Sequence, residues 1–141
     1  MNSQDSEFFK QLLSMFKMES EEHVKVISSA LLQLGKKPSA EERLELLETV
    51  FRAAHSLKGA SRAVGLTDVE PISQSLEKLF ATLKHTDTDL SSPLLDKLHR
   101  VIENFGTLIS TMNEQGKVVE DKSALARLIE QVNENVVLMM A

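Results

Sequence analysis

At 141 residues, 42% apolar and 26% charged, the chain has the size and balance of one soluble globular domain with a sizeable core. Its net charge of −5 and pI near 5.4 argue against nucleic-acid or anionic-membrane binding, which need a concentrated basic surface; Lys36 and Lys37 are a pair, not a patch. There is no cysteine for disulfides or thiolate metal sites, no basic start or apolar run of a signal peptide in MNSQDSEFFKQ, and no stretch approaching the roughly 18 apolar residues of a membrane span, so the expected location is cytoplasmic.

Apolar residues recur at spacings of three and four almost throughout and nowhere alternate with polar ones at length, so every predicted element is a helix. The first runs from about Asp5 to Leu34 on a stripe through Phe9, Leu12, Leu13, Phe16, Val24, Ile27, Leu31 and Leu34, and Gly35-Lys36-Lys37-Pro38 supplies a left-handed cap and a stop. Ser39 and Glu42 form a capping box for a second helix carrying Leu44, Leu47, Val50, Phe51, Ala54, Leu57 and Val64, which ends near Gly65. Thr67 and Glu70 repeat the box ahead of a third, whose stripe is Val69, Ile72, Leu76, Leu79, Phe80 and Leu83; Pro71 falls in its first turn, where amides have no intrahelical partner to lose.

The loop that follows starts like a calcium loop with Asp87-x-Asp89-x-Ser91. It fails as one, because Ser92 stands where glycine is needed and Leu98 occupies the twelfth position without an oxygen to give. Ser92 as cap and Pro93 as first helical residue open a fourth helix instead, running to about Glu114. A break at Gly116 and a cap at Asp121 introduce a fifth, on Leu125, Leu128, Ile129, Val132, Val136 and Val137. Short connections force neighbours to run opposite ways, so the expected fold is all-α: an antiparallel four-helix bundle with an additional C-terminal fifth helix, one domain over 1–141.

Within FRAAHSLKGASRAVGL, His55 lies about 100° round the second helix from Ala54, the middle of its apolar stripe. Lys58, Gly59 and Arg62 follow at i+3, i+4 and i+7 and share that outward shoulder. A glycine inside a helix costs about 0.5–1 kcal/mol relative to alanine, and Gly59 removes a side chain one turn from the histidine. Counting across the hairpin from Leu66, His55 lies eleven residues before and Glu77 eleven after, which brings them to the same level of adjacent antiparallel helices. A carboxylate there would accept the Nδ1 proton and leave Nε2 as an unprotonated nucleophile, with Lys58 placed to neutralise an oxyanion on it. On pattern alone, an ordinary surface histidine on a charged helix shoulder fits the same residues.

The run Phe51-Arg52-Ala53-Ala54-His55-Ser56-Leu57-Lys58-Gly59-Ala60, followed by Val64-Gly65-Leu66, resembles the phosphoacceptor helix of histidine-containing phosphotransfer (Hpt) domains, most of all the amino-terminal Hpt domain of CheA-type chemotaxis kinases. The resemblance covers essentially the whole chain, fifth helix included. It implies that His55 is phosphorylated on Nε2 and passes the phosphoryl group to an aspartate of a response-regulator receiver domain, in a two-component phosphorelay. Glu77 matches the position that hydrogen-bonds Nδ1, Lys58 the lysine near the phosphoryl group, and Gly59 the small residue beside it; Arg62 lies on the same shoulder. Gln74 departs from the CheA-type pattern, in which a second histidine often stands, so the reactivity of His55 is expected to be tuned, not lost.

The other histidines look structural: His23 among helical apolar positions, His85 near a loop and His99 on the fourth helix, with no i, i+4 pair of a metal site. The six methionines read as core filler. Gly35, Gly59, Gly65, Gly106 and Gly116 build neither a G-x-x-x-x-G-K-[ST] loop nor a G-x-G-x-x-G turn, so the chain is expected to bind no cofactor and to be no kinase on its own. ATP and Mg²⁺ would come with partner domains: a kinase catalytic domain in the same polypeptide or another protein, and the receiver. The expected parent is a CheA-type sensor kinase of which this is the N-terminal part, and the isolated domain is expected to be a monomer. A stand-alone phosphorelay protein and a helical interaction module without phosphotransfer are the alternatives.

Overall fold

The computed structural model describes residues 3–140, and these form five helices: α1 (Ser3–Leu34), α2 (Ala40–Val64), α3 (Glu70–Leu83), α4 (Ser92–Ser110) and α5 (Lys122–Met140). Each turns its apolar stripe inward. Phe16, Phe80 and Phe105, from three different helices, are fully buried in the common core beside Ile27, Leu57 and Leu76. Removing one such side chain from water stabilises the fold by about 1.5–3 kcal/mol, which is what holds individual helices that would be marginal alone. Leu44, expected on the α2 stripe, is 60% exposed, since the buried face of that helix begins with Leu47. No helix among the described residues is long and apolar enough to cross a membrane.

Going round the bundle the order is α1, α2, α3, α5, α4 and back to α1. The fifth helix therefore fills the space between α3 and α4, with Leu125, Ile129, Val132 and Val136 buried, and is part of the core.

Several helix ends fall where local chemistry predicts. Ser39 Oγ accepts from Glu42 N at 3.2 Å, and Asp121 Oδ1 accepts from Ser123 N at 3.1 Å and Ala124 N at 3.4 Å. Others differ. The left-handed residue after α1 is Lys37, φ 53°, not Gly35, because Lys36 N and Lys37 N bond back to Gln33 O and Leu34 O and carry the last turn past the glycine. The Thr67–Glu70 box does not form: Glu70 is taken by Arg62, whose Nε lies 2.7 Å from Oε1, and α3 is entered through a turn in which Val69 N and Glu70 N donate to Leu66 O. Ser91, not Ser92, caps α4, with its Oγ accepting from Leu94 N, and α4 stops at Ser110, short of Glu114, where a turn closed by Gly116 N donating to Asn113 O begins. Asp89, from the failed calcium pattern, pairs with Arg43 at 3.3 Å.

One loop braces the α2–α3 turn. Asp68 accepts from Val118 N and from Lys122 Nζ, each at 3.1 Å, and the Lys122 bond, joined by that from Val118, holds the Asp68 carboxyl below its ordinary value. In the same loop Gly116 is buried at φ 74°, and a Cβ there would lie 2.6 Å from Leu66 Cδ2 and 3.2 Å from Phe9 Cζ. Gly116→Ala thus combines a disfavoured backbone conformation with overpacking, and urea denaturation is expected to show a loss of about 1–3 kcal/mol. An unchanged midpoint would mean that the loop does not press on Leu66.

Candidate functional site

The site is built on the α2–α3 hairpin. Helix α2 ends in a left-handed Gly65, φ 77° and ψ 33°, with Gly65 N donating to Arg62 O and Leu66 N to Ser61 O, the pair of bonds that satisfies the last carbonyls of a helix. Leu66 then turns into the core and the chain reverses. With equal rise on both sides, residues equidistant from Leu66 come level.

Three polar rungs cross the outer seam of the two helices at this register. Arg62 meets Glu70, His55 meets Glu77 and Glu48 meets Lys84, at four, eleven and eighteen residues on either side of Leu66. Their spacing of seven is two helical turns, which keeps every rung on the same face. The residues just inside, Ala54 and Leu76, are fully buried.

The middle rung is the tightest. His55 Nδ1 lies 2.6 Å from Glu77 Oε2, and Lys58 Nζ donates to the other carboxylate oxygen, Oε1, at 3.0 Å. Exposure separates the three: the His55 side chain is 64% accessible, against 18% for Glu77 and 19% for Lys58. Burial pushes the Glu77 carboxyl up, but the hydrogen bonds from Lys58 and His55 and the charges behind them outweigh it and hold the group below its ordinary 4.5. An ionised carboxylate only accepts, so the proton between it and the ring belongs to Nδ1. In the neutral imidazole, Nε2 is then left with a free lone pair on a ring that is mostly in solvent.

The structure thus brings together His55, Glu77 and Lys58, and places Lys58 on Glu77. Gly59 is exposed on the same shoulder, and a Cβ added there would meet nothing within 4 Å, so no packing inside the molecule demands a glycine. Arg62 belongs to the neighbouring rung. Gln74, three residues before Glu77 on α3, is exposed and makes no hydrogen bond to the pair. The sequence reading names only the middle rung, yet the count from Leu66 that pairs His55 with Glu77 also pairs Arg62 with Glu70 and Glu48 with Lys84. Phe51 sits between the two rungs: its ring stacks with His55 at 6.3 Å between centroids, 23° from parallel, and Lys84 Nζ lies 4.1 Å from its centroid.

Fold and site together define an all-helical domain in which an exposed histidine on one helix is oriented by a carboxylate from the next. The model of the Hpt domain matches residues 11–135, and the chain belongs to the histidine-containing phosphotransfer (Hpt) domain family. It is 31% identical over 120 residues to the chemotaxis protein CheA of Bacillus subtilis (strain 168), covering 85% of this chain and 17% of that protein. To the chemotaxis protein CheA of Halobacterium salinarum it is 27% identical over 124 residues, covering 88% of this chain and 18% of that protein. The chain therefore spans less than a fifth of the length of these curated relatives. Among solved structures, the phosphorylated P1 domain of CheA3 in complex with CheY6 from R. sphaeroides shares the fold, with a TM-score of 0.72 and 16% identity over 91% of this chain and 97% of that one.

Because the folded Glu77 carboxyl titrates below its unfolded value near 4.5, its contribution to stability is fully present above that pH and is lost as pH falls through the lower, folded pKa. Unfolding free energies of the wild type and of Glu77→Gln, measured from neutral pH to pH 3, should differ at neutral pH and converge in acid. A gap that does not change with pH would show that the carboxylate charge is not what the site holds.

Proposed function

We propose that His55 is the phosphoacceptor of this Hpt domain, and that the domain relays a phosphoryl group from an ATP-dependent kinase domain to an aspartate of a response-regulator receiver. The observation that carries the reading is the 2.6 Å contact between His55 Nδ1 and Glu77 Oε2 on an otherwise exposed ring.

In the first step the Nε2 lone pair attacks the γ-phosphorus of ATP in line, the P–N bond forms, and the bond to the departing ADP oxygen breaks. The Nδ1 proton stays where it is. As positive charge develops on the ring, Glu77 stabilises it across a short charge-assisted bond, so the carboxylate both orients and electrostatically supports the nucleophile. In the second step a receiver carboxylate attacks phosphorus, the P–N bond breaks, and the imidazole returns to its starting form with the proton still on Nδ1. Lys58, with three donors of which one holds Glu77, has capacity left for a phosphoryl oxygen. Gly59 leaves the approach to His55 open to each partner in turn.

ATP and Mg²⁺ enter this scheme with the partner domains, and the domain acts as a positioned substrate, not as an enzyme. The likeness to CheA proteins, of which the chain matches a small part, supports a kinase parent with the catalytic domain elsewhere in the same polypeptide. A receiver as the acceptor is supported by the shared fold with a P1 domain solved in complex with CheY6.

Incubation with a CheA-type catalytic domain, ATP and Mg²⁺ should yield acid-labile, base-stable phosphate on the wild type and none on His55→Gln; label persisting in that variant would remove His55 from its role. Glu77→Ala should slow labelling roughly ten- to a hundredfold, the worth of one hydrogen bond to a charged group, with helical content unchanged by circular dichroism.

A further inference from the structure

Phosphorylating Nε2 sets anionic phosphoryl oxygens on a shoulder where one neighbouring cation, Lys58, is largely covered and already holds Glu77. The charged groups around the ring are Glu48, Arg52 and Lys58 on α2, and Glu77 with Lys84 at the end of α3. Lys84 is the one among them whose present contacts are loose. Its ammonium is 3.5 Å from Glu48 Oε2, beyond good hydrogen-bond distance, and rests on the Phe51 ring at 4.1 Å from the centroid. Glu48 keeps a second partner, Arg52 Nε at 3.2 Å from Oε1, so Lys84 can leave without stranding the carboxylate. The ring on which Lys84 rests is the one stacked with His55.

Taking His55 as the phosphoacceptor, we infer that Lys84 is a second phosphoryl-binding cation: phosphorylation draws its ammonium off Glu48 and past the edge of Phe51 to the phosphoryl oxygens. Phe51 serves as the rest on which the flexible stem waits close to the imidazole. The dephosphorylated site is thereby kept near charge balance, and the cation is brought in when the phosphoryl group arrives.

The test uses the purified chain and potassium phosphoramidate, a small donor that needs no kinase. Phosphorus NMR of the phosphohistidine across neutral pH should place its titration midpoint in Lys84→Gln about half a pH unit or more above that of the wild type, the effect of one cation at about 4 Å in a water-exposed setting. Lys84→Arg should restore it, and the melting temperatures should match. Without any substitution, the Lys84 Nζ nitrogen resonance should shift when the wild type is phosphorylated. Coincident titrations, a Lys84→Arg variant that behaves like Lys84→Gln, or an unmoved Nζ resonance would overturn the role of Lys84 alone. Absence of phosphohistidine in the wild type, or its persistence in His55→Gln, would instead overturn the assignment of His55 on which the inference rests.

Discussion

The register of the α2–α3 hairpin is the constraint on which the site depends. Gly65 in the left-handed region ends one helix, buried Leu66 anchors the reversal, and from there each residue of α2 has a fixed opposite on α3. One residue inserted between them would turn α3 by about 100° and shift it by about 1.5 Å, enough to carry Glu77 off the seam. The loop after α4 holds this turn from outside through Asp68, Val118 and the Gly116–Leu66 approach, and so couples the position of α5 to the geometry around His55.

A single step round each helix separates the core from the chemistry. Ala54 and Leu76 are buried, and their immediate successors His55 and Glu77 stand at the border. This gives the imidazole a rigid base and an open outer edge, the combination a nucleophile needs if it is to be handed to separate proteins. Ion pairs at the solvent border contribute little stability, typically about 0–1 kcal/mol, so the partly exposed outer rungs matter less for holding the fold than for where they put charge. Arg62 sits with Glu70, while Lys84 is kept near His55 by an aromatic ring and a shared carboxylate.

Much of this was legible because helix stripes and the Gly65 turn depend on local chemistry. Five helices, the Ser39 and Asp121 caps, and the level of Glu77 opposite His55 all follow from spacing. What escaped was decided by competition between contacts, which spacing alone does not rank. Glu70 leaves its expected box because Arg62 competes for it, and Lys37 takes the left-handed position because α1 winds on past Gly35. The seat of α5 between α3 and α4 depends on which apolar faces remain uncovered after the hairpins form, and no local pattern encodes that. Lys84 was within reach of the same count from Leu66, but a lysine at a helix end looks like a dipole partner until its aromatic rest is seen.

The proposed chemistry turns on Glu77 holding the proton of His55 on Nδ1, which leaves the Nε2 lone pair free. Long-range proton–nitrogen correlation of the His55 ring in uniformly ¹⁵N-labelled chain, recorded where the imidazole is neutral, reads this directly. The wild type should show a protonated Nδ1 and a bare, pyridine-type Nε2, with that preference lost in Glu77→Ala. A wild-type ring carrying its proton on Nε2 would contradict it.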